Sequence, residues 1–450
     1  MIEGFYGRSW SISERTTMLD WIRSAGMNLY VYGPKDDIKI RARWRALYTR
    51  AELRDLKKLV VQAKGRGIEF MAAVSPCVDI THGDPKEVTA LCAKLGQFLS
   101  LGIRHIALLF DDIPSTLNAA DAQRFASFSD AQAHVVNACN AVVKTRDKAA
   151  KLYFCPTEYC SAMASGKPSR SAYLSTIGIQ LAADIEIFWT GLDIVSETIT
   201  AAHCREVAKV LRRKPFIWDN FHANDYDIRR VYSGPLGGRE QAALAFVSGW
   251  MTNPNNELEA NFVPVHTTGQ FFRKARYSEA AALQKALADW QPRLGLDGSG
   301  KGLSTPLSSE QLLLLVSVFY QPFAFGPKIR RLLRVLEGVF KSKLRSEPEA
   351  TWRRALALSS DIERRLEDIH AAMTELKNRE LFHTYHQYLW EARHELRYLN
   401  IYLRWCIENS GKQAEFPHGA LIYNFYRKGF TAALNDLIQR DMSGRFRHGG

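Results

Sequence analysis

At 450 residues, with 46% hydrophobic and 24% charged side chains, the chain can bury one large core and still furnish a second domain. Its longest apolar stretch, Leu312 to Tyr320, is far short of the roughly 20 residues that span a bilayer, so a soluble protein with no membrane partner is expected. The formal charge of +13 invites a nucleic-acid reading, but the excess is spread along the chain. Its densest patch, Lys328, Arg330, Arg331, Arg334, Lys341, Lys343 and Arg345, alternates with Leu, Val and Phe at helical spacing, as a solvated helix face does. No nucleic-acid partner is expected.

From residue 1 to about 255 the chain repeats one unit, a short apolar run, a polar or glycine-bearing tip and a helical pattern. The runs begin near Met1, Asn28, Glu69, His105, Leu152, Ile185, Pro215 and Gly249. Amphipathic helices are expected at Ser13 to Ala25 with Ser11 as cap, at Arg50 to Gly67 and at Pro85 to Gly102, with glycines as stops. Eight such units over about 250 residues predict a (β/α)8 barrel, a TIM-like α/β fold. A doubly wound open sheet is the alternative, but no glycine-rich phosphate loop succeeds an early strand. After Asn261 only helical patterns remain: Tyr277 to Leu294, then a Gly/Ser/Pro-containing linker near 295–309. Four more come after it, at Glu310 to Tyr320, Pro327 to Leu344, Ala350 to Arg379 and Glu380 to Asn409. A catalytic domain over 1–275 and an all-α bundle over 276–450 are expected. The stripe of Phe382, Tyr385, Tyr388, Leu389, Trp390 and Tyr398 reads as bundle core or oligomer contact.

Seven cysteines lack the spacing of a disulfide framework or zinc module and read as reduced, mostly buried thiols. Met1 leads within a few residues into Glu3, Gly4 and Tyr6, leaving no room for a signal peptide, so a cytoplasmic location is expected.

The tips of the apolar runs carry the chemistry: Gly4 with Tyr6, Lys35 with Asp36 and Asp37, Asp79, Asp111 with Asp112, Glu158 with Tyr159, Thr190, Asp219 with Asn220, and Asn253. In a parallel barrel these tips share the face on which barrel enzymes build their sites. Of the two vicinal acid pairs, only Asp111 and Asp112 stand directly after a wholly apolar strand, Ile106 to Phe110. A carboxylic acid that donates a proton near neutral pH needs its pKa raised by desolvation and by a second carboxylate close at hand, and side-by-side aspartates offer both. Two-carboxylate glycosidases place acid and nucleophile on opposite sides of the anomeric carbon. Adjacent aspartates suit a reaction in which the substrate's own 2-acetamido oxygen attacks. On these grounds alone, a divalent metal site at the pair remains open.

The strings IEGFYGRSW, YGPKDD, SPCVDI, LLFDDI, FCPTEYC, WTG, IWDNFHANDYD, GPLGGR and TNPNNELEANF occur in this order. Together they strongly resemble glycoside hydrolase family 84, the O-GlcNAcases. LLLLVSVFYQPFAFGPK and YHQYLWEARHELRYLNIYLRWC resemble, less closely, the stalk domain of the animal-type members, which implies a homodimer.

The resemblance implies hydrolysis of O-linked GlcNAc from Ser or Thr of proteins through an oxazoline, with no cofactor and no metal. Glycans or hyaluronan-type polymers are the alternative substrate. It gives Asp111 the acetamido nitrogen and Asp112 the role of general acid and base. It further implies substrate contacts from Gly4, Lys35, Tyr159, Trp218, Asn220, Asp225 and Asn253, with Cys155 and Ile194 lining the acetyl-methyl pocket. Asp36, Asp37 and Asp219 are expected as supports, and His222 as a satisfied loop histidine. Leu192 and Asp193, after WTG, depart from the family's more usual proline or glycine-proline start.

Overall fold

The computed structural model describes the chain except residues 77–78, 228, 296–306, 342–348, 410–415, 417–428 and 439–450. Cys77, most of the expected linker, and Lys343 and Arg345 of the basic patch therefore lie outside the described residues. Eight parallel strands form one sheet in sequential order: β1 (Ile2–Glu3), β2 (Leu29–Tyr32), β3 (Glu69–Val74), β4 (His105–Leu109), β5 (Lys151–Cys155), β6 (Glu186–Trp189), β7 (Phe216–Asp219) and β8 (Gly249–Thr252). Each pairs with its successor, from Ile2 opposite Val31 to Asp219 opposite Thr252. This is the nearly closed (β/α)8 barrel that the repeating unit implied.

Alternation along the strands sorts the side chains. Met71 and Ala73, Ala107 and Leu109, Tyr153 and Cys155, and Phe216 and Trp218 join Ile2, Val31, Phe188 and Met251 in one buried cluster, the filling of the barrel. The residues between them, such as Ala72, Ile106, Leu108, Phe154, Ile187 and Ile217, are fully buried too. Burial on both faces is why the strands read as continuous apolar runs.

Local chemistry sets the helix ends. Ser11 and Thr49 form capping boxes with Glu14 and Glu52 at the starts of Ile12–Ser24 and Arg50–Gly65. Gly26, Gly67 and Gly102 take positive φ just beyond the first three helices. A buried network pins the two-residue β1: Glu3 accepts from Arg15 Nε and Nη2, both at 2.8 Å, from the Trp10 N–H at 3.1 Å, and from the Tyr30 hydroxyl. It fixes the segment that carries Gly4 and Tyr6.

Two compact units result. One comprises Met1–Tyr226, Leu236–Leu258 and Pro264–Glu279; the other takes in Asp227–Pro235 and Glu259–Val263 with Ala280–Gly450. In the second, the Ser233 and Gly234 N–H groups donate to the Phe319 and Tyr320 carbonyls, each at 2.6 Å. Its helices include Ser309–Val318, Pro327–Lys341, Glu349–Thr374 and Arg379–Glu408. The long helix pair breaks at Thr374 rather than Arg379, because Asn378 caps the next helix, its side chain accepting from the Leu381 N–H. Phe382, Tyr385, Leu389 and Tyr398 of the aromatic stripe are buried, whereas Trp390 is 47% exposed and stacks on His394. Among the described residues no helix is long and apolar enough to cross a membrane, and none of the six described cysteines is in a disulfide.

Candidate active site

Phe110 makes the last sheet hydrogen bond of this edge, its N–H donating to the Cys155 carbonyl at 3.0 Å. The chain then turns. Asp111 stays buried, and its Oδ2 accepts from Lys35 Nζ at 2.5 Å. Burial alone would raise this carboxyl, but the Lys35 ammonium, with Arg41 behind it, holds it below the usual carboxylate range. It is an ionised acceptor at neutral pH.

Asp112 takes φ of +57°, in the left-handed region, and this swings its carboxylate outward into an exposed position. There its Oδ2 accepts from the Tyr6 hydroxyl at 3.0 Å and its Oδ1 from the Tyr159 hydroxyl at 2.8 Å. Burial and the Asp112 charge push both phenols up, so both stay protonated donors. The sequence suggested desolvation at the aspartate pair; burial falls on Asp111 alone, because the left-handed turn separates two adjacent side chains.

Other expected residues gather around this pair. Asp225 Oδ2 accepts from the Tyr6 N–H at 2.8 Å, and burial pushes the Asp225 carboxyl upward. The Lys35 ammonium lies 5.4 Å from the centre of the Tyr6 ring. Tyr6 therefore touches or faces Asp112, Asp225 and Lys35. The sequence marked it at a strand tip without giving it a role.

Across the mouth, Asn253 Nδ2 donates to Asn220 Oδ1 at 3.0 Å, and Asn220 Nδ2 donates to the Ile194 carbonyl at 2.9 Å. Ile194 itself is exposed, while Cys155 is buried in the barrel cluster with Tyr159 and Trp218. Trp218 packs edge-to-face on Phe188. A Cβ on Gly4 would lie 2.8 Å from Trp218 Cζ2, so only glycine fits beneath that ring. Among the described residues Trp218 Nε1 and Asn253 Oδ1 are buried without a hydrogen-bond partner, a costly state at about 1–3 kcal/mol each that a polar ligand relieves.

The family model described as beta-N-acetylglucosaminidase matches residues 1–295, the span that holds all of these strand tips. The chain belongs to the β-N-acetylglucosaminidase family. Protein O-GlcNAcases of Rattus norvegicus and Mus musculus are each 42% identical to it over 273 residues, 61% of this chain. That segment spans only 30% of those relatives' length. A mutant of the O-GlcNAc hydrolase from Thermobaculum terrenum superposes with a TM-score of 0.76 at 23% identity, over 90% of this chain and 83% of that one, and so shares the fold.

The residues expected as supports take distinct forms. Asp36 accepts from the Ser9 N–H at 3.2 Å, and Asp37 from the hydroxyls of Tyr32 and Tyr48 at 2.9 and 2.8 Å. Asp219 pairs with Arg239 in full burial, and His222 is fully buried. The alternative of a metal at the aspartate pair meets a physical objection. An ammonium already occupies the cation position against Asp111, and the left-handed turn points Asp112 elsewhere.

Proposed function

We propose that this family member is a retaining β-N-acetylglucosaminidase that removes O-linked GlcNAc from Ser or Thr of proteins by substrate-assisted catalysis. The carrying observation is the unequal treatment of adjacent aspartates: Asp111 buried and ionised against Lys35, Asp112 exposed between two phenol donors. An ionised Asp111 accepts from the acetamido N–H and turns the acetamido oxygen onto the anomeric carbon. That oxygen forms the new bond as the glycosidic bond breaks, and Asp112 gives its proton to the leaving serine or threonine oxygen. The product of this step is an oxazolinium whose N–H proton passes to the Asp111 carboxylate to give the oxazoline. Asp112, now a carboxylate, takes a proton from water, which attacks the anomeric carbon from the vacated face; the bond from that carbon to the acetamido oxygen breaks, Asp111 returns the proton to the nitrogen, and the β-anomer is restored. Asn220, Asp225 and Asn253 serve the sugar hydroxyls, Trp218 the ring face, and Cys155 and Ile194 the acetyl methyl.

The names of the rat and mouse relatives support protein-linked GlcNAc as substrate. The test is release of GlcNAc from a glycosylated peptide, with the product anomer read by NMR before mutarotation. First-formed β-anomer supports the reading, and α-anomer overturns it. Faster turnover on a β-linked glycan or hyaluronan fragment than on the peptide would move the substrate assignment to polymers.

The helical unit is proposed as a dimerising stalk. Trp390 at 47% and Ile401 at 39% exposure leave apolar surface on Arg379–Glu408. Sedimentation as a monomer at micromolar concentration would refute it. A reducing, cytoplasmic setting accords with the cysteines in the described residues, none of which is in a disulfide.

A further inference from the structure

Beyond Phe110 the chain leaves the sheet, and three successive carbonyls must find donors elsewhere. The Phe110 carbonyl accepts from the Thr157 hydroxyl at 2.7 Å. The next two are met from a different direction: Arg41 Nη1 lies 3.4 Å from the Asp111 carbonyl and Arg41 Nη2 3.4 Å from the Asp112 carbonyl. Nη1 also donates to Ser75 Oγ at 3.0 Å. One planar guanidinium thus spans the turn in which Asp112 is left-handed.

The platform beneath Arg41 is firm. Its neighbour Ile40 is fully buried, and the Ile40 carbonyl accepts from the Ser75 N–H at 2.7 Å, tying the loop after β2 to the end of β3. Trp44, also fully buried, donates through Nε1 to Asp79 at 2.9 Å. The loop is therefore anchored on both sides of the arginine. A left-handed non-glycine residue is strained, and its surroundings must hold it there.

We propose that Arg41 is a positioning residue for the proton-transfer group: its forked contact with the Asp111 and Asp112 carbonyls holds the left-handed turn that aims the Asp112 carboxylate between Tyr6 and Tyr159. Lysine cannot replace it, because a single ammonium on a flexible stem does not bridge two carbonyls in a fixed plane. This inference rests on the proposed role of Asp112 as acid and base.

The experiment compares Arg41→Lys and Arg41→Ala with the unsubstituted protein on two aryl N-acetyl-β-glucosaminides, one with a poor and one with a good leaving group. A displaced acid costs about 100-fold in kcat on the poor leaving group, little on the good one, and leaves KM nearly unchanged on both. Millimolar guanidinium restores part of the Arg41→Ala loss. Equal losses on both substrates, or no loss, overturn the proposal and indicate a structural role or none.

A crystal structure of Arg41→Lys supplies the second readout. Asp112 leaving the left-handed region supports the inference; Asp112 keeping positive φ, with both tyrosine contacts intact, sinks it whatever the activity. Should the unsubstituted protein hydrolyse neither glycoside, the functional reading fails, and the crystal structure still decides whether Arg41 holds the turn.

Discussion

Two buried ion pairs sit at strand tips of the same barrel, Asp111 with Lys35 and Asp219 with Arg239. Exposure does not distinguish them, since all four side chains are 8% exposed or less. Saturation does. Asp219 accepts from Arg239 Nη2 at 2.6 Å, Arg239 Nε at 2.9 Å, the Phe221 N–H and Trp250 Nε1. The remaining guanidinium hydrogens go to the Ser196, Glu197 and Gly237 carbonyls, so all five donors of Arg239 are spent inside the protein. Lys35 instead gives one hydrogen bond, to Asp111, among the described residues, leaving two N–H donors beside an aromatic ring. A closed pair holds structure; a pair with donors to spare can also hold a ligand.

The comparison breaks most sharply at Asp112, the proposed acid. Asp112→Asn keeps the size of the side chain but loses one of the two oxygens that accept from Tyr6 and Tyr159 and cannot donate the proton of a carboxylic acid, and kcat on a glycopeptide should fall by roughly 10²–10⁴. Full activity would remove Asp112 from the mechanism. Arg239→Met is next, leaving Asp219 charged and uncompensated in full burial. About 3–5 kcal/mol of stability should be lost, measured as a lower urea midpoint, with KM of the folded fraction unchanged.

Lys35→Met should do the reverse, lowering kcat/KM by on the order of 100-fold with a smaller loss of stability. It also carries a pH signature. In the native site the Asp111 carboxyl is depressed, so its contribution is present above the ordinary carboxylate value of about 4 and is lost as pH falls through the lower native one. Without the ammonium, burial wins, and the acid limb of kcat/KM moves to higher pH. An unmoved limb together with a stability loss matching that of Arg239→Met would make the two pairs equivalent and erase the distinction. The smallest effects belong to the phenols. Tyr159→Phe and Tyr6→Phe each remove one bond to Asp112 and should cost about tenfold or less in kcat, the buried Tyr159 more than the exposed Tyr6; the opposite ranking would place the working end of Asp112 on the Tyr6 side.

Much of the barrel is legible in the residues alone. Strands buried on both faces write themselves as unbroken apolar runs, so Ile106 to Phe110 announces both a strand and the polar tip beyond it. The feature that separates Asp111 from Asp112 is not local. Lys35 and Tyr6 lie 76 and 106 residues away in sequence, and adjacent identical letters conceal opposite side-chain directions. Arg41 sits among Lys39, Arg43 and Arg45, and nothing in that basic run marks it as the one whose guanidinium reaches two carbonyls. Glu3 hides in the same way, a charged letter in a two-residue strand that is fully buried because Arg15 and Tyr30 come back to meet it. The expected helix break was offset from Thr374 because a shared helical period runs through both helices, and only the cap at Asn378 marks the restart.

The left-handed backbone at Asp112 also limits which acid evolution can place there. Aspartate and asparagine enter that region several-fold more readily than other non-glycine residues, because a short polar side chain can bond its own backbone; glutamate has no such advantage. A change to glutamate, conservative by charge, would here be a change of backbone as well as of reach. Chirality, as much as acidity, makes position 112 an aspartate.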